Sequence, residues 1–299
     1  MIQSITWLTP DLSAAIEAAV TAHAGRAWRI ERATDLADLA SHPTAILAGS
    51  GLGVFVKLGT ESDAFHRFEV EASSLRYLAD RAGVLVPEVI GIVPAESGTA
   101  LIMRALHEVE RGPHQWREIG RTLACIHRVK GDYCGFDEDN YFGSLAQENT
   151  PAPDWPTFYA ERRLRPHLRM AVDSGHLPLA MVPEVESVIR RLPDLCGPAV
   201  TPVLLHGDAQ RNNYVSTGEG TYVVDPALHY GHPELDLAYL DYWQPVPDDV
   251  LLAYREELPI DPGFPQRWGL WRLSPSLAVV AVAGPAYLPA LEDALRPYV

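Results

Sequence analysis

The sequence predicts an α+β protein of two lobes, and three observations carry that prediction. Short runs of β-forming residues crowd into the first third of the chain, one long amphipathic helix interrupts them, and beyond Leu106 the pattern turns mostly helical. At 299 residues, 47% of them hydrophobic, the chain is longer than most single cores and has enough apolar side chains to fill two. The first lobe is read as residues 1–104, a five-stranded antiparallel sheet plus the long helix. The second is read as residues 105–299, reached through a short hinge from Arg104 to Leu106.

Each element has a local reason. Asp11 can cap a first helix that runs to about Ala24, with Leu12, Ile16 and Val20 as its apolar stripe. AWRIER (27–32), TAILAG (44–49) and GVFVKL (53–58) read as neighbouring strands, separated by polar or glycine-bearing turns. Phe65, Phe68, Ala72, Leu75 and Leu78 then recur at helical spacing over 61–82, a rod of roughly 33 Å at 1.5 Å per residue. PEVIGIV (87–93) and TALIMR (99–104) complete the sheet. The second lobe begins with a helix over 116–127 and an irregular stretch, 131–153, that exceeds ordinary loop length and is therefore read as functional or mobile. A helix over 154–173, which Pro166 should kink, another over 183–191 and three or four C-terminal helices ending at Tyr298 finish the chain.

Composition excludes several function classes. A formal net charge of -15 repels phosphate backbones and anionic lipid, so neither nucleic acid nor a membrane surface is expected as a partner. Cys125, Cys134 and Cys196 form no C-x-x-C pair and no even set, which argues against a disulfide framework and fits a reducing cytoplasm. The N-terminus lacks a secretory pattern, and the apolar run from Leu277 to Ala283 is too short to span a bilayer.

The segment LLHGDAQRNNYV (204–215) contains His206, Asp208 and Asn213 in the pattern H-x-D-x-x-x-x-N. In phosphoryl transfer from Mg-ATP, an Asp so placed accepts the hydroxyl proton and the Asn reaches a metal. A capped polar turn uses the same residue types. Asp225 follows Asn213 by twelve residues, at the end of TYVVD and before Pro226. A hairpin would return it beside Asn213, giving one carboxylate and one amide oxygen for a magnesium ion. Lys57 at the end of GVFVKL is a candidate phosphate cation. Of two candidate partners on the long helix, Glu71 shares the apolar face of Leu75 and Leu78, whereas Glu69 lies about 200° around.

The order strand-Lys, helix-Glu, H-x-D-x-x-x-x-N and strand-Asp resembles the protein-kinase-like fold of the aminoglycoside and choline phosphotransferases. Within that superfamily the sequence is more similar to the fructosamine, or ketosamine, kinases. FVKLGTESDAFHRFEVEASSLRYLA, FDEDNYFGSLAQENTPAPDWPTFYAERRL, LLHGD and VVDPALHYGHPELDLAYL carry the likeness, which runs from about Val54 to the C-terminus. The resemblance implies ATP and Mg2+ as cofactors, with Asp208 as base, Asn213 and Asp225 as magnesium ligands, and Lys57, paired with Glu71, on the phosphates. It adds the hinge residues Met103 and Ala105 to the nucleotide site. It makes His206 a brace and Asp236 a buried carboxylate holding the catalytic loop's backbone; His127 matches the family's Leu-x-x-x-His helix ending and is read as a core histidine. Asn140, Gln147 and Asn149 match amide positions expected to meet sugar hydroxyls, and the W-x-x-F-Y-x-x-R-R-L helix matches a family pattern that reads as core.

Two departures matter. The family's loop usually carries a tryptophan two residues after the base, where this chain has Gln210 followed by Arg211, so hydrogen bonding or an anionic group would replace stacking at the acceptor. The turn ATDLADLASHPT (33–44), where the family is glycine-rich, contains no glycine. The expected function is phosphorylation of the 3-hydroxyl of a ketosamine, free or protein-bound, in deglycation. The readings held beside it are a small-molecule kinase with another hydroxyl acceptor and a catalytically silent nucleotide-binding regulator.

Overall fold

The computed structural model describes residues 5–36 and 42–299. In chain order the elements of the first part are α1 (Pro10–Ala24), β1 (Arg32–Asp35), β2 (Thr44–Gly49), β3 (Leu52–Gly59), α2 (Ala64–Ala82), β4 (Val89–Ala95) and β5 (Gly98–Arg104). There follow α3 (Pro113–His127), β6 (Asn140–Phe142), β7 (Leu145–Gln147), α4 (Trp155–Tyr159), α5 (Arg165–Asp173), α6 (Val182–Arg190) and α7 (Leu192–Leu195). The last part holds β8 (Val203–Leu205), β9 (Tyr214–Ser216), β10 (Thr221–Val223), β11 (His229–Gly231), α8 (Glu234–Tyr239), α9 (Asp249–Glu257), α10 (Phe264–Ala283) and α11 (Leu288–Leu295).

The chain divides into two compact units. One comprises Met1–Asp80, Leu85–Glu110 and Val215–Val224, and the other Arg81–Val84, Arg111–Tyr214 and Asp225–Val299. The first is built on a five-stranded antiparallel sheet in the order β1-β2-β3-β5-β4. Alternation along the strands gives the sheet two apolar faces. Leu47, Val54, Val56 and Ile102 meet Leu12, Ile16 and Val20 of α1, while Leu101 and Met103 meet Phe68 and Leu75 of α2. The hairpin β9–β10 belongs to this unit through Val109 N–H to the Ser216 carbonyl and Val223 N–H to the Leu85 carbonyl, 2.9 and 2.8 Å.

Three local expectations are corrected here. Thr9, not Asp11, caps α1, its hydroxyl accepting from Leu12 N–H at 3.4 Å, and Asp11 sits in the first turn where the helix dipole favours a carboxylate. The first strand is Arg32–Asp35 rather than AWRIER. Trp28 is buried, but its backbone N–H goes to the Thr21 hydroxyl and its indole N–H to the Leu52 carbonyl, so its apolar character records packing with α1 and not a strand ladder. Phe65 stands 42% exposed, outside the buried stripe of α2. Of the turn read over 33–44, residues 33–35 form part of β1, and residues 37–41 lie outside the described residues.

In the second unit α3 packs on α9, and α10 packs on α5, α8 and α11. The stretch 131–153 is not wholly irregular, because β6 and β7 pair in it, Asn140 opposite Gln147. The helix read over 154–173 is interrupted as Pro166 requires. Its missing N–H and its clash with the carbonyl four residues earlier are absorbed by a π turn, Ala160–Leu164, between α4 and α5. The three cysteines form no disulfide, and no helix among the described residues is long and apolar enough to cross a membrane.

Candidate active site

Strand parity sets the first pair. Val54, Val56 and Leu58 face α1, so Phe55 and Lys57 share the face that α2 covers. On α2, Phe68, Glu71, Leu75 and Leu78 recur at three- and four-residue steps, which turns the Glu71 carboxylate to the same side. Lys57 Nζ donates to Glu71 Oε1 at 2.7 Å, with both side chains largely shielded, while Glu69 is exposed. Met103 lies in β5, 3% exposed. The Ala105 N–H donates to the Gly53 carbonyl at 3.0 Å.

The loop that follows β8 is shaped from below. Gly207 has φ +80°, and a Cβ there would fall 1.9 Å from the Ala227 carbonyl oxygen, so only glycine fits. Asp236, wholly buried on α8, accepts the His206 N–H at 2.7 Å and the Gly207 N–H at 3.0 Å, and His127 Nε2 lies 3.1 Å from the same carboxylate. Burial opposes its charge, but the hydrogen bond and charge of His127, with His206, hold it below the ordinary carboxylate value. A carboxylate kept ionised only accepts, so His127 Nε2 carries a proton toward it, and Nδ1 lies 2.8 Å from the Tyr254 hydroxyl. His206 closes the turn by accepting the Asp208 N–H on Nδ1 at 3.2 Å.

Asp208 then stands half-buried at the loop's apex. Asn213 Nδ2 donates to both the Asp208 carbonyl, at 2.8 Å, and Oδ2, at 3.0 Å. Gln210 Nε2 lies 3.0 Å from Oδ2 and 3.3 Å from Oδ1. Burial pushes the Asp208 carboxyl up to about 7 against those two amide bonds, and the charges of Asp225 and Asp236 push the same way. Asp225, exposed after β10, is one of two described non-glycine residues with positive φ, +54°. With Asn213 Nδ2 engaged by Asp208, the amide oxygen is the end left for a cation, and Asp225 adds a carboxylate. Two hard oxygen donors suit magnesium, which keeps waters and takes phosphate oxygens for its other positions. No group of three or more His, Cys, Asp or Glu fit for a metal occurs among the described residues.

The other site residues read from the sequence are less mobile than a ligand contact implies. Arg211 donates from Nη1 to the Pro245 carbonyl at 3.0 Å and lies over the Trp116 ring at 5.5 Å. Arg111, over the same ring at 5.0 Å, donates to the carbonyls of Arg211 and Tyr214, and sequence reading missed this clamp on the loop. Asn149 is 0% exposed, its amide bonded to the Glu138 carbonyl and to Arg163 Nη2, so it braces the stretch rather than facing a sugar. Asn140 and Gln147 are buried too. Asn140 donates to the Leu228 carbonyl at 2.7 Å, and the amide oxygens of both residues have no hydrogen-bond partner among the described residues. Arg163, wholly buried, was legible only as part of an apolar-looking helix.

A Lys–Glu pair on an antiparallel sheet and an Asp-x-x-x-x-Asn loop in a helical unit define a protein-kinase-like phosphotransferase. Solved structures agree on the fold: an aminoglycoside phosphotransferase, APH(4)-Ia, superposes with a TM-score of 0.59 at 15% identity, over 96% of this chain and 99% of that one. A candidate fructosamine-3-kinase from Thermobifida fusca gives 0.82 at 32% identity, over 95% and 98% of the two chains. The ketosamine-3-kinase of Mus musculus is 28% identical over 247 residues, 74% of this chain and 79% of its own. The sequence profile of the fructosamine kinase family matches residues 12–299, and the chain belongs to that family. It is an ATP-dependent phosphotransferase.

Proposed function

We propose that the enzyme transfers the γ-phosphoryl group of Mg-ATP to the 3-hydroxyl of a ketosamine, a sugar joined through an Amadori rearrangement to an amino group, free or on a protein. The observation that carries the reading is the Asp208 carboxylate fixed by Asn213 Nδ2 at 3.0 Å on a loop whose backbone Asp236 holds. Family membership and the name of the mouse relative support the acceptor.

In this reading Asp208 orients the acceptor hydroxyl and takes its proton as the oxygen–phosphorus bond forms and the bond to the ADP leaving oxygen breaks. Lys57, kept in place by Glu71, neutralises phosphate charge. Asn213 and Asp225 would hold the magnesium ion, which supplies neutralisation of the charge developing on the transferred group. The test is incubation with ATP and ribulose-lysine or fructose-lysine. Mass spectrometry should find a product heavier by about 80 Da, the mass added by one phosphoryl group, and phosphorus–proton correlation should place it on C3. Asp208→Asn should abolish it. Turnover of neither compound, together with turnover of another alcohol, would remove the ketosamine assignment and leave the phosphotransferase.

A further inference from the structure

A row of aromatic rings runs from buried Tyr239 to the protein surface, and nothing described so far uses its outer end. Tyr239, at the end of α8, is buried, and its hydroxyl is pushed well above its usual value by burial first and by the charge of Asp208 next, so it lies in that carboxylate's field. From Tyr239 the ring centroids step 6.5 Å to Tyr242, 5.0 Å to Trp243 and 6.1 Å to Tyr287. Tyr242 is fixed by a 3.1 Å contact of its hydroxyl with Ser276 Oγ and by the Arg272 guanidinium 6.0 Å from its ring. Trp243 and Tyr287 are 45% and 38% exposed.

Trp243 is therefore held without being covered. Tyr242 and Tyr287 meet it at 84° and 87°, near-perpendicular contacts that fix a ring. Its loop is also bonded to the catalytic loop on both sides of the indole: the Arg211 N–H donates to the Leu240 carbonyl at 3.2 Å, and Arg211 Nη1 to the Pro245 carbonyl at 3.0 Å. Only three residues separate Trp243 from Leu240, at most about 11 Å of chain. An open indole is thus carried on a segment hydrogen-bonded directly to the loop of Asp208.

We propose that Trp243, flanked by Tyr287, is the platform for the amine-borne part of the acceptor, and that it selects a cationic group there. The inference rests on the ketosamine reading above. Trp243 stands two ring spacings outward from Tyr239, so what meets it is the end of the acceptor remote from the reacting hydroxyl. An indole face is the best of the aromatic surfaces for a cation. The two arginines beside this platform are already engaged, Arg272 by Asp241 and Arg211 by the Pro245 carbonyl, while Asp248 and Asp249 follow Trp243 by five and six residues on a chain of net charge -15. Asp248 and Asp249 enter no ion pair among the described residues.

The test uses two ketosamines of one sugar, formed with pentylamine and with 1,5-diaminopentane, which differ only in the terminal ammonium group. Trp243→Leu keeps apolar surface and removes the π face. It should raise KM for the diaminopentane adduct about tenfold, leave kcat unchanged, and leave KM for the pentylamine adduct and for ATP within about twofold. Trp243→Phe should recover part of the loss, and Tyr287→Leu should act in the same direction but less. An equal change for both adducts, or none, overturns the proposal while leaving the ketosamine reading intact. A variant that only loses self-association, with acceptor kinetics unchanged, marks Trp243 as a subunit contact and overturns it too. Failure of the wild-type enzyme to phosphorylate either adduct overturns both readings.

Discussion

Gln210 Nε2 lies 3.0 Å from Oδ2 and 3.3 Å from Oδ1 of Asp208, so one amide group covers both oxygens of the proposed base. An acceptor hydroxyl must share or displace that amide to reach the carboxylate. The same hydrogen bonds favour the ionised form, opposing the burial that raises Asp208 to about 7. The acid limb of kcat/KM should therefore lie near pH 7 in the free enzyme, with activity lost as the base is protonated below it. Gln210→Leu removes a hydrogen bond to a charged group and should move that limb upward by about one unit. Activity at pH 7 then falls several-fold and returns at higher pH. A limb that stays in place in the variant would show that Gln210 does not support the charge.

Asp208 on the loop and Asp236 beneath it on α8 should respond oppositely to neutralisation. Asp208 has a raised value, so its contribution to stability is fully present below pH 3.8 and is lost as pH rises through about 7. At pH 8 Asp208→Asn should abolish turnover and leave the melting temperature level or higher. Asp236 is the reverse case: ionised, wholly buried, and accepting from two backbone N–H groups and His127. Asp236→Asn sets an amide donor against those donors, and should cost on the order of 3 kcal/mol, the size seen when one partner of a buried charge network is removed. Thermal melts of the two metal-free variants at pH 8 decide it.

The pair Lys57–Glu71 predicts a hierarchy. Lys57→Met leaves phosphate charge unanswered and should lower kcat/KM for ATP on the order of 10²-fold, as for loss of one preorganised transition-state partner. Glu71→Gln keeps a hydrogen-bond acceptor for Nζ and should have a smaller effect, carried mostly in KM. Steady-state kinetics with varied ATP separates the two, and equal losses would mean that Glu71 does more than position the lysine.

These relations were unequally legible in the sequence. Phe55 and Lys57 share a sheet face, and Glu71 shares a helix face with Phe68, Leu75 and Leu78, because periods of two and 3.6 are written locally. The loop was legible for a similar reason, Asp208 and Asn213 being five residues apart and bonded to each other. Reading failed where a distant segment decides the outcome. Trp28 looked like strand because α1 buries it, the β6–β7 hairpin has only three residues a side, and Asn149 is fixed by Arg163 of the π turn. Trp243 gave no periodic signal at all, since its neighbours Tyr242 and Tyr287 lie on different elements.

The second unit also carries an acid trigger. His167 and His229 are depressed to about 3 by burial and then by the charge of Arg163, and His232 is depressed to about 4 chiefly by burial. His229 stacks against both Trp155 and Phe158, His232 lies against Trp271 and His167 against Phe142, so hydrating any of the three means parting buried ring contacts. An unfolded histidine titrates near 6.5, and these three remain neutral in the folded protein well below that. The unfolded state therefore binds more protons between about pH 6.5 and pH 4, and stability falls as pH drops through that window. Three groups taking up nearly a proton each near pH 5 contribute roughly 4 kcal/mol per pH unit, and Asp208, which binds its proton below about 7 only in the folded state, offsets about one of those three protons. The urea midpoint should hold steady above pH 7 and drop steeply from pH 6 to pH 5. His229→Phe, which keeps the stacking, should flatten the drop by about half on that net proton count. A midpoint level from pH 7 to pH 5 would falsify the assignment of these histidines as neutral core groups.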